Sequence, residues 1–493
     1  MTWNGQTIVD IERSFLDTNG VRVVVDAKVV DSQVAVPEVR TTSLENLEAD
    51  TVKVLSDLNH ASQKGLQTIF DSSVGRSTVN HPIGGRYQIT PTESSVQKLP
   101  VQNGVTKTAS VMAQGFNPYI AEWSPYHGAA YAVIEATARL VATGSRWSQA
   151  RFSYQEYFQR MDKQAERFGQ PVAALLGSIE AQIQLGLPSI GGKDSMSGTF
   201  EELTVPPTLV AFGVTTADVD KVLSTEFKAA GHSIYYLPGQ TISETIDFDL
   251  IKSNFASFEA IQAKYAITAA SAVKYGGLLE SLSLMSFGNR IGARIELDEV
   301  AGSLAGQLGG FVFTSTDEIP EAVQLGQTVA DFDLTVNGQV LAGAKLLAAY
   351  EGKLEEVYPT VFEQATDLQA VPAVASDAVI QAKEKVEQPL VYIPVFPGTN
   401  SEYDSAKAFE QAGAKVKLVP FVTLNEAAIA QSVEDMVANI QEANIIFFAA
   451  LKRISPSHIL NVVFRYWSKN TDNSSLEIQS VRESVNMFTL QSL

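Results

Sequence analysis

Ile190-Gly-Gly-Lys-Asp-Ser-Met-Ser-Gly198 is the stretch that decides the fold prediction. Before it, apolar residues recur at helical spacing from Pro171, a residue favoured in the first turn of a helix, and the pattern stops at Gly186. After it, residues 208–215 read as a strand. A glycine-rich turn between a helix and a strand predicts a domain of mixed helix and sheet.

The same turn is the best candidate binding site in the sequence. Gly191 and Gly192 allow backbone N–H groups to face an anion, and Lys193 adds positive charge. Asp194 could hold Mg²⁺, while the Ser195 and Ser197 hydroxyls could bond phosphate oxygens. The spacing fits neither the P-loop nor the dinucleotide-binding fingerprint. From the spacing alone, an ordinary surface turn is as good an interpretation.

The rest of the chain divides into further segments by pattern. Residues 41–230 form the first predicted domain, which includes a helix from a capping box at Thr42-Ser43-Leu44-Glu45 to about Leu58 and an Ala-rich helix near 127–144. Residues 231–355 mix strands with helices, among them a helix over 271–287, and predict an α+β domain. Residues 356–388, rich in Val, Ala, Pro and acids, indicate a linker.

From residue 389 the pattern changes to strand–helix–strand–helix–strand, which predicts the start of an open parallel sheet over 389–450. Residues 451–493 contain no Gly and no Ala and do not continue it, so we interpret them as a disordered or aberrant tail. At the other end, strand pieces at 7–11 and 21–29 suggest that residues 1–40 are the tail of an upstream domain.

The amino-acid composition argues against several classes of function. The 493 residues carry a formal charge of −19, which argues against a nucleic-acid or anionic-membrane surface as the main partner. The sequence has no apolar run long enough to predict a transmembrane helix, and its first residues do not have the pattern of a signal peptide. We therefore expect a cytoplasmic protein. The chain has no Cys, which excludes disulfides, thiolate metal sites and a cysteine nucleophile.

Isolated polar residues elsewhere have two interpretations each. Glu135 is alone among apolar residues of the Ala-rich helix and is either solvated or a metal ligand. Glu93 is expected to be an exposed loop acid, and Asn103 a turn residue. His60 is expected to serve packing or hydrogen bonding.

Several motifs together resemble the large form of phosphoribosylformylglycinamidine synthase (FGAM synthetase). They are Asn59-His-Ala-Ser-Gln-Lys-Gly-Leu-Gln-Thr-Ile-Phe-Asp71, Gly192-Lys-Asp-Ser-Met-Ser197, Tyr275-Gly-Gly-Leu-Leu279, Leu308-Gly-Gly-Phe311 and Pro397-Gly-Thr-Asn-Ser-Glu402. The resemblance covers residues 1 to about 449, which correspond to the middle of the family's polypeptide.

The resemblance implies an aminoimidazole ribonucleotide synthetase-like pair of N-type and C-type domains, followed by an incomplete flavodoxin-like class I amidotransferase. It implies an ATP-dependent and Mg²⁺-dependent ligase of purine biosynthesis that takes a phosphoribosyl substrate and glutamine. Gly192 and Ser195 match positions that contact ATP or the ribonucleotide, and Lys193 and Asp194 stand where a metal contact is expected. Glu135 matches a Mg²⁺ ligand of a second nucleotide site, with Asn103 in place of an Asp ligand.

Departures from the family pattern limit what the chain is expected to do. Arg139 stands where some members have an Asn ligand, and Ser271-Ala-Val-Lys274 replaces a stretch that contains Asp, so the second site is expected to be degenerate. Without Cys we expect no glutaminase activity, and without the first half of the core we expect little activity alone. The partner would be that missing first half or a second copy of this chain.

Two other interpretations stay open at this point. One is a non-catalytic scaffold that binds nucleotide or pairs with a separate first half. The other is a different ATP-using relative, such as aminoimidazole ribonucleotide synthetase, selenophosphate synthetase or thiamine-phosphate kinase, against which the pattern after Leu390 argues.

Overall fold

The computed structural model describes residues 1–12, 15, 24–30, 45–70, 72–73, 77–101, 104–297, 304–361 and 385–451. The chain forms two compact units, Met1–Ala365 and Thr366–Leu493. Asn103, most of the capping box, most of the predicted linker and the tail beyond residue 451 lie outside the described residues. The domain boundaries near residues 40 and 230 stay predictions.

The helices are α1 Leu47–Leu55, α2 Lys64–Gln67, α3 Pro118–Trp123, α4 Pro125–Ala142, α5 Ala165–Leu185, α6 Phe248–Lys264, α7 Gly277–Phe287, α8 Gly343–Gly352, α9 Glu402–Gln411 and α10 Glu426–Glu442.

The strands of the first half are β1 Thr2–Trp3, β2 Gln6–Thr7, β3 Thr78–Asn80, β4 Ile83–Gly84, β5 Thr90–Pro91, β6 Ser95–Lys98, β7 Thr108–Gly115, β8 Arg151–Tyr157, β9 Ser189–Lys193, β10 Thr199–Phe200, β11 Leu203–Thr204 and β12 Thr208–Asp218. Those that follow are β13 Ser233–Leu237, β14 Gln240–Thr241, β15 Ile267–Val273, β16 Gly292–Ile295, β17 Gln307–Leu308, β18 Gly310–Ser315, β19 Val323–Val329, β20 Leu334–Val336, β21 Gln339–Leu341, β22 Leu390–Val395, β23 Thr399–Asn400, β24 Lys415–Pro420, β25 Ile445–Ile446 and β26 Ala450–Leu451.

A six-stranded sheet of order β3-β6-β7-β12-β8-β9 occupies the first part of the Met1–Ala365 unit. Its strands pair antiparallel except at the edge, where β9 runs parallel to β8. Helix α4 packs on β7 and β12 and is almost entirely buried. A Cβ at Gly115 would lie 2.1 Å from the Ala132 carbonyl oxygen, so glycine permits this close contact between α4 and the sheet.

A seven-stranded sheet of order β15-β18-β13-β19-β16-β20-β21 follows in the same unit. Helix α7 lies against it and is buried along its whole length. One hydrophobic core joins side chains of both sheets, including Val111 and Phe152 from the first and Phe311 and Phe313 from the second. The two sheets therefore share their packing.

Helix α5 begins at Ala165, not at Pro171, so the prediction of its start was wrong and the proline lies inside the helix. Its buried face consists largely of small residues, because α4 comes very close: a Cβ at Gly177 would lie 1.9 Å from the Tyr126 carbonyl oxygen. The larger aliphatic side chains point outward instead, and Ile183 is 69% exposed.

Three other sequence predictions were also wrong. Residues 267–273 form strand β15, and the helix begins only at Gly277. The first helix begins at Leu47 with Asn46 at its N-cap, after the predicted capping box. Residues 24–30 form no strand, and the Lys28 N–H donates to the carbonyl of Ala165 at the start of α5.

In the Thr366–Leu493 unit, β22 is the central strand of a parallel sheet of order β24-β22-β25. Val391 and Ile393 pack with Ala406 of α9, whereas Tyr392 packs with Val433 and Met436 of α10. Both faces of the sheet are covered, as alternation along a strand requires. The predicted parallel α/β pattern is confirmed, but its assignment to an amidotransferase stays a prediction.

Candidate functional site

The predicted glycine-rich turn lies at the open edge of the six-stranded sheet. Gly191 and Gly192 belong to β9, which pairs on one side with β8 and is exposed throughout. A Cβ at Gly192 would lie 2.6 Å from the Tyr154 carbonyl oxygen, so only glycine fits beside β8 without a shift. The turn is thus part of a sheet edge and not a loose loop.

Backbone hydrogen bonds fix the residues that follow β9. The Phe158 N–H donates to the Ser195 carbonyl at 2.8 Å, and the Gly198 N–H donates to the Phe158 carbonyl at 2.8 Å. The Ser195 and Ser197 hydroxyl oxygens lie 3.0 Å apart. Lys193 and Asp194 are exposed. The turn therefore presents hydroxyl, ammonium and carboxylate groups to solvent from an anchored backbone.

Glu156 is a residue of this region that the sequence analysis missed. Its side chain is buried on β8, and burial together with the nearby Asp194 carboxylate raises its pKa to about 7. Only the alternation of buried positions along β8 could have indicated it, since Glu occupies an inward position there. The two carboxylates place negative charge close to the turn.

A second polar cluster lies where the two sheets of the Met1–Ala365 unit meet, and Glu93 is at its centre. Glu93 is 4% exposed, so the prediction of an exposed loop acid was wrong. Its Oε1 accepts from Ser271 Oγ at 2.7 Å and from Lys274 Nζ at 2.9 Å. Its Oε2 accepts from Lys274 Nζ at 3.2 Å and lies 3.1 Å from Arg139 Nε. Burial alone would raise the pKa of Glu93, but Lys274 and Arg139 outweigh it and hold the pKa below its usual range.

Glu135 lies beside this cluster, one helical turn before Arg139. Its carboxylate is 3.8 Å from Arg139 Nη1, and its side chain is 13% exposed. Burial raises the pKa of Glu135, and the neighbouring cations only partly offset that effect. Glu135 is therefore largely buried, and its carboxylate lies close to the cation of Arg139.

His60 and Glu280 form the other wall of the same region. His60 Nδ1 lies 2.6 Å from Glu280 Oε1, and both side chains are below 10% exposed. The His60 ring stacks on Tyr275 at 6.0 Å between centroids. Hydrogen bonding by His60 confirms that prediction, while its burial beside a carboxylate was not visible in the sequence.

Part of this region lines a cavity of about 410 Å³, although Glu93 itself does not. Glu135, Arg139, Lys274, Glu280 and His60 contribute its charged and titratable groups. The cavity lining does not include Gly191–Ser197, so the two parts of the predicted site lie in different places. Asn103, the third predicted metal ligand, lies outside the described residues.

A divalent cation does not fit the Glu93–Glu135 region. Both oxygens of Glu93 already accept hydrogen bonds from side chains, and Arg139 lies against Glu135. In the part of the chain that the structure describes, no group of three or more His, Asp or Glu side chains could hold a metal ion. Within the same described ranges, no helix is long and apolar enough to cross a membrane.

Comparison with known proteins gives sequence relatives of one kind. No protein-family model matches the chain. The phosphoribosylformylglycinamidine synthase subunit PurL of Thermoplasma volcanium is 24% identical over 342 residues, which are 65% of this chain and 44% of that protein. The subunit of the same name from Thermoplasma acidophilum is 24% identical over 319 residues, 60% of this chain and 40% of the relative.

Among solved structures, T. maritima PurL complexed with ADP matches with a TM-score of 0.47 at 12% identity, covering 68% of this chain and 56% of that one. At this TM-score the likeness carries no argument. The chain spans less than half the length of the two curated relatives. In sequence, then, this chain is similar to PurL, a subunit of an enzyme of purine biosynthesis, over up to 65% of its own length in these two comparisons.

Proposed function

We propose that the chain is part of an ATP-dependent C–N ligase of the FGAM synthetase type. The full enzyme would convert formylglycinamide ribonucleotide, ATP and glutamine to formylglycinamidine ribonucleotide, ADP, phosphate and glutamate. The observation that carries the proposal is the similarity to PurL over 342 residues. The anchored, solvent-facing Gly191–Ser197 turn supports it, since the reaction needs a grip on phosphate groups.

The turn would supply binding and orientation. The backbone N–H of the Gly191–Gly192 pair that points away from β8 and the Lys193 ammonium would face phosphate oxygens, and the Ser195 and Ser197 hydroxyls would donate to them. Asp194 would hold the Mg²⁺ that accompanies ATP, because a carboxylate exposed beside phosphates is the usual protein contribution to such a site. Bound Mg²⁺ would neutralise charge on the transferred phosphoryl group.

Activation of the substrate amide oxygen by phosphorylation would let ammonia displace phosphate. Because the sequence has no Cys, we propose that this chain does not release ammonia from glutamine. The nitrogen would come from a separate glutaminase or from free ammonia. A first half of the synthetase core, or a second copy of the chain, would complete the cleft.

Synthesis with ammonia as the nitrogen donor tests this proposal. The purified chain is assayed with formylglycinamide ribonucleotide, Mg²⁺, ATP and ammonia, with and without an added N-terminal half from a relative. Ser195→Ala should lower the rate at least about tenfold, because it removes a donor to a charged oxygen. Ser56→Ala is the matched control, since Ser56 Oγ is exposed and donates to the carbonyl of Lys53 in its own helix region. Equal rates for the two variants would remove Ser195 from the site.

One observation favours a second candidate, a non-catalytic scaffold of the same fold. The carboxylates around Glu93 and Glu135 are neutralised by internal cations, as in a structural junction. A scaffold would retain nucleotide in equilibrium dialysis, or pair with a first half, without turnover under any of the assay conditions above. Product formation with the added half would exclude it.

A further inference from the structure

Several charged side chains are buried at the junction between the two sheets of the Met1–Ala365 unit. Glu93 is 4% exposed and Glu280 is 4% exposed, and Arg139 and Lys274 have side chains below 20% exposed. Buried carboxylates require compensating positive charge, from side chains or from a metal. In this cluster the positive charge comes from the side chains of Arg139 and Lys274.

Lys274 Nζ bridges both oxygens of Glu93, at 2.9 and 3.2 Å. Arg139 reaches Glu93 through Nε at 3.1 Å and faces Glu135 through Nη1 at 3.8 Å. Arg139 therefore lies between a carboxylate contributed by the loop after β5 and one contributed by helix α4, while Lys274 lies against the first of them. This is the arrangement that a divalent cation makes when it bridges carboxylates, with ammonium and guanidinium groups in its place.

The acceptor positions of Glu93 are already occupied. Ser271 Oγ is a second donor, at 2.7 Å, to the oxygen that Lys274 contacts at 2.9 Å. Arg139 is further held by the carbonyls of Glu93 and Gln114, each at 3.0 Å, so its guanidinium cannot move away without losing those bonds. A metal could enter only by displacing side chains that are themselves anchored.

We propose that Arg139 and Lys274 permanently replace a divalent cation at this junction, so that the cavity beside it keeps its charge balance and accepts its ligand without a metal. The position of Glu135 supports this, because its side chain is 13% exposed and its carboxylate lies 3.8 Å from Arg139 Nη1, where a bound metal ion would have to displace the guanidinium. The proposal goes beyond the ligase assignment and does not depend on it, since it concerns metal binding and not turnover.

Titration of the full chain with Mn²⁺, followed by electron paramagnetic resonance, tests the proposal. The stoichiometry is compared between the unmodified chain, Glu135→Gln and Asp194→Asn. We expect Glu135→Gln to leave the number of bound Mn²⁺ ions unchanged, whether that number is zero or one. Asp194→Asn is the matched control, because Asp194 is exposed at the other candidate site. Loss of one bound ion in Glu135→Gln would overturn the proposal.

The reverse experiment asks whether removal of the cations creates a metal site. The double variant Arg139→Asn with Lys274→Asp leaves Glu93 and Glu135 and adds a carboxylate and an amide oxygen, ligands that hard cations accept. We expect it to gain about one Mn²⁺ per chain relative to the unmodified protein, with circular dichroism as the check on folding. A folded double variant that gains no ion would contradict the proposal, and if it does not fold, the Glu135→Gln comparison decides.

Discussion

Replacing Lys274 by Met tests the energetic role of the ion cluster at the sheet junction. The Lys274 ammonium lies 2.9 Å from Glu93, which is 4% exposed. At that distance the Coulomb attraction is about 6 kcal/mol for an effective dielectric constant of about 20. Removal of the lysine also removes its desolvation cost, and Arg139 and Ser271 remain, so we expect a net loss of about 3 kcal/mol in the free energy of unfolding.

The pH dependence of that loss follows from the lowered pKa of Glu93. A carboxyl whose folded pKa is below its unfolded value near 4.5 stabilises the fold above that pH, and the contribution disappears as pH falls through the folded pKa. The deficit of Lys274→Met should therefore be full at pH 7 and should shrink as pH falls below about 4.5 and through the lowered pKa that Glu93 has in the folded protein. Urea unfolding at a series of pH values measures both quantities.

A matched control and a rescue separate charge from shape. Lys252→Met removes a lysine that lies 2.9 Å from Asp249, a carboxylate that is 93% exposed, and should cost less than about 0.5 kcal/mol. The double variant Glu93→Gln with Lys274→Met removes the unpaired buried charge and should recover part of the loss. If Lys274→Met cost no more than Lys252→Met, or if Glu93→Gln gave no recovery, the interpretation of the cluster as a buried ion pair would be refuted.

Three further predictions concern other parts of the chain. Burial raises the pKa of Glu156 to about 7, so its ionisation destabilises the fold increasingly as pH rises from about 4.5 to about 7. Glu156→Gln should therefore stabilise the chain by at least about 1 kcal/mol more at pH 8 than at pH 5, as measured by urea unfolding. Gly277 has φ +81°, and a Cβ there would lie 2.5 Å from the Leu304 carbonyl oxygen, whereas Gly338 has φ +77° with open space around it. Gly277→Ala should therefore lower the free energy of unfolding by about 2 kcal/mol more than Gly338→Ala. Differential scanning calorimetry measures this difference. On α5, Leu176→Gln should leave the melting temperature nearly unchanged and Leu185→Ala should cost about 3 kcal/mol, because Leu176 is 51% exposed and Leu185 is 3% exposed; equal costs would mean that the outward side of α5 is covered in solution.

The parts of the fold that the sequence predicted correctly are those in which one local pattern decides the structure. After Leu390, short apolar runs alternate with helical segments, and the parallel sheet follows that pattern closely. In 271–287 the local pattern misled, because β15 is buried and its consecutive apolar residues resemble a buried helix. The change from strand to helix occurs at the Gly276-Gly277 turn.

Helix α5 shows a second limit of sequence periodicity. Its large aliphatic residues recur at helical spacing, yet Val172, Leu176 and Ile179 are exposed. Close packing against α4 selects small residues such as Gly177, and that distance is a property of the tertiary structure. Periodicity therefore located the helix, but the packing against α4 decides which face is buried.

Only the part of the candidate site that is contiguous in sequence could be predicted from the sequence. The turn from Gly191 to Ser197 was visible as a motif, because its chemistry is contiguous in sequence. Glu93 was not, because its partners Arg139 and Lys274 lie 46 and 181 positions away along the chain. No local signal distinguishes a loop acid in water from one enclosed by cations.

The hydrophobic core shared by the two sheets of the Met1–Ala365 unit has a practical consequence for dissecting the protein. Phe255 and Phe311 belong to the same cluster as Val133 and Phe152, on opposite sides of residue 230. If residues 1–230 and 231–361 were expressed as separate polypeptides, each would expose a large hydrophobic surface. We expect both to precipitate unless they are produced together. A truncation after residue 361 leaves that cluster whole, so we expect the polypeptide 1–361 to keep it covered.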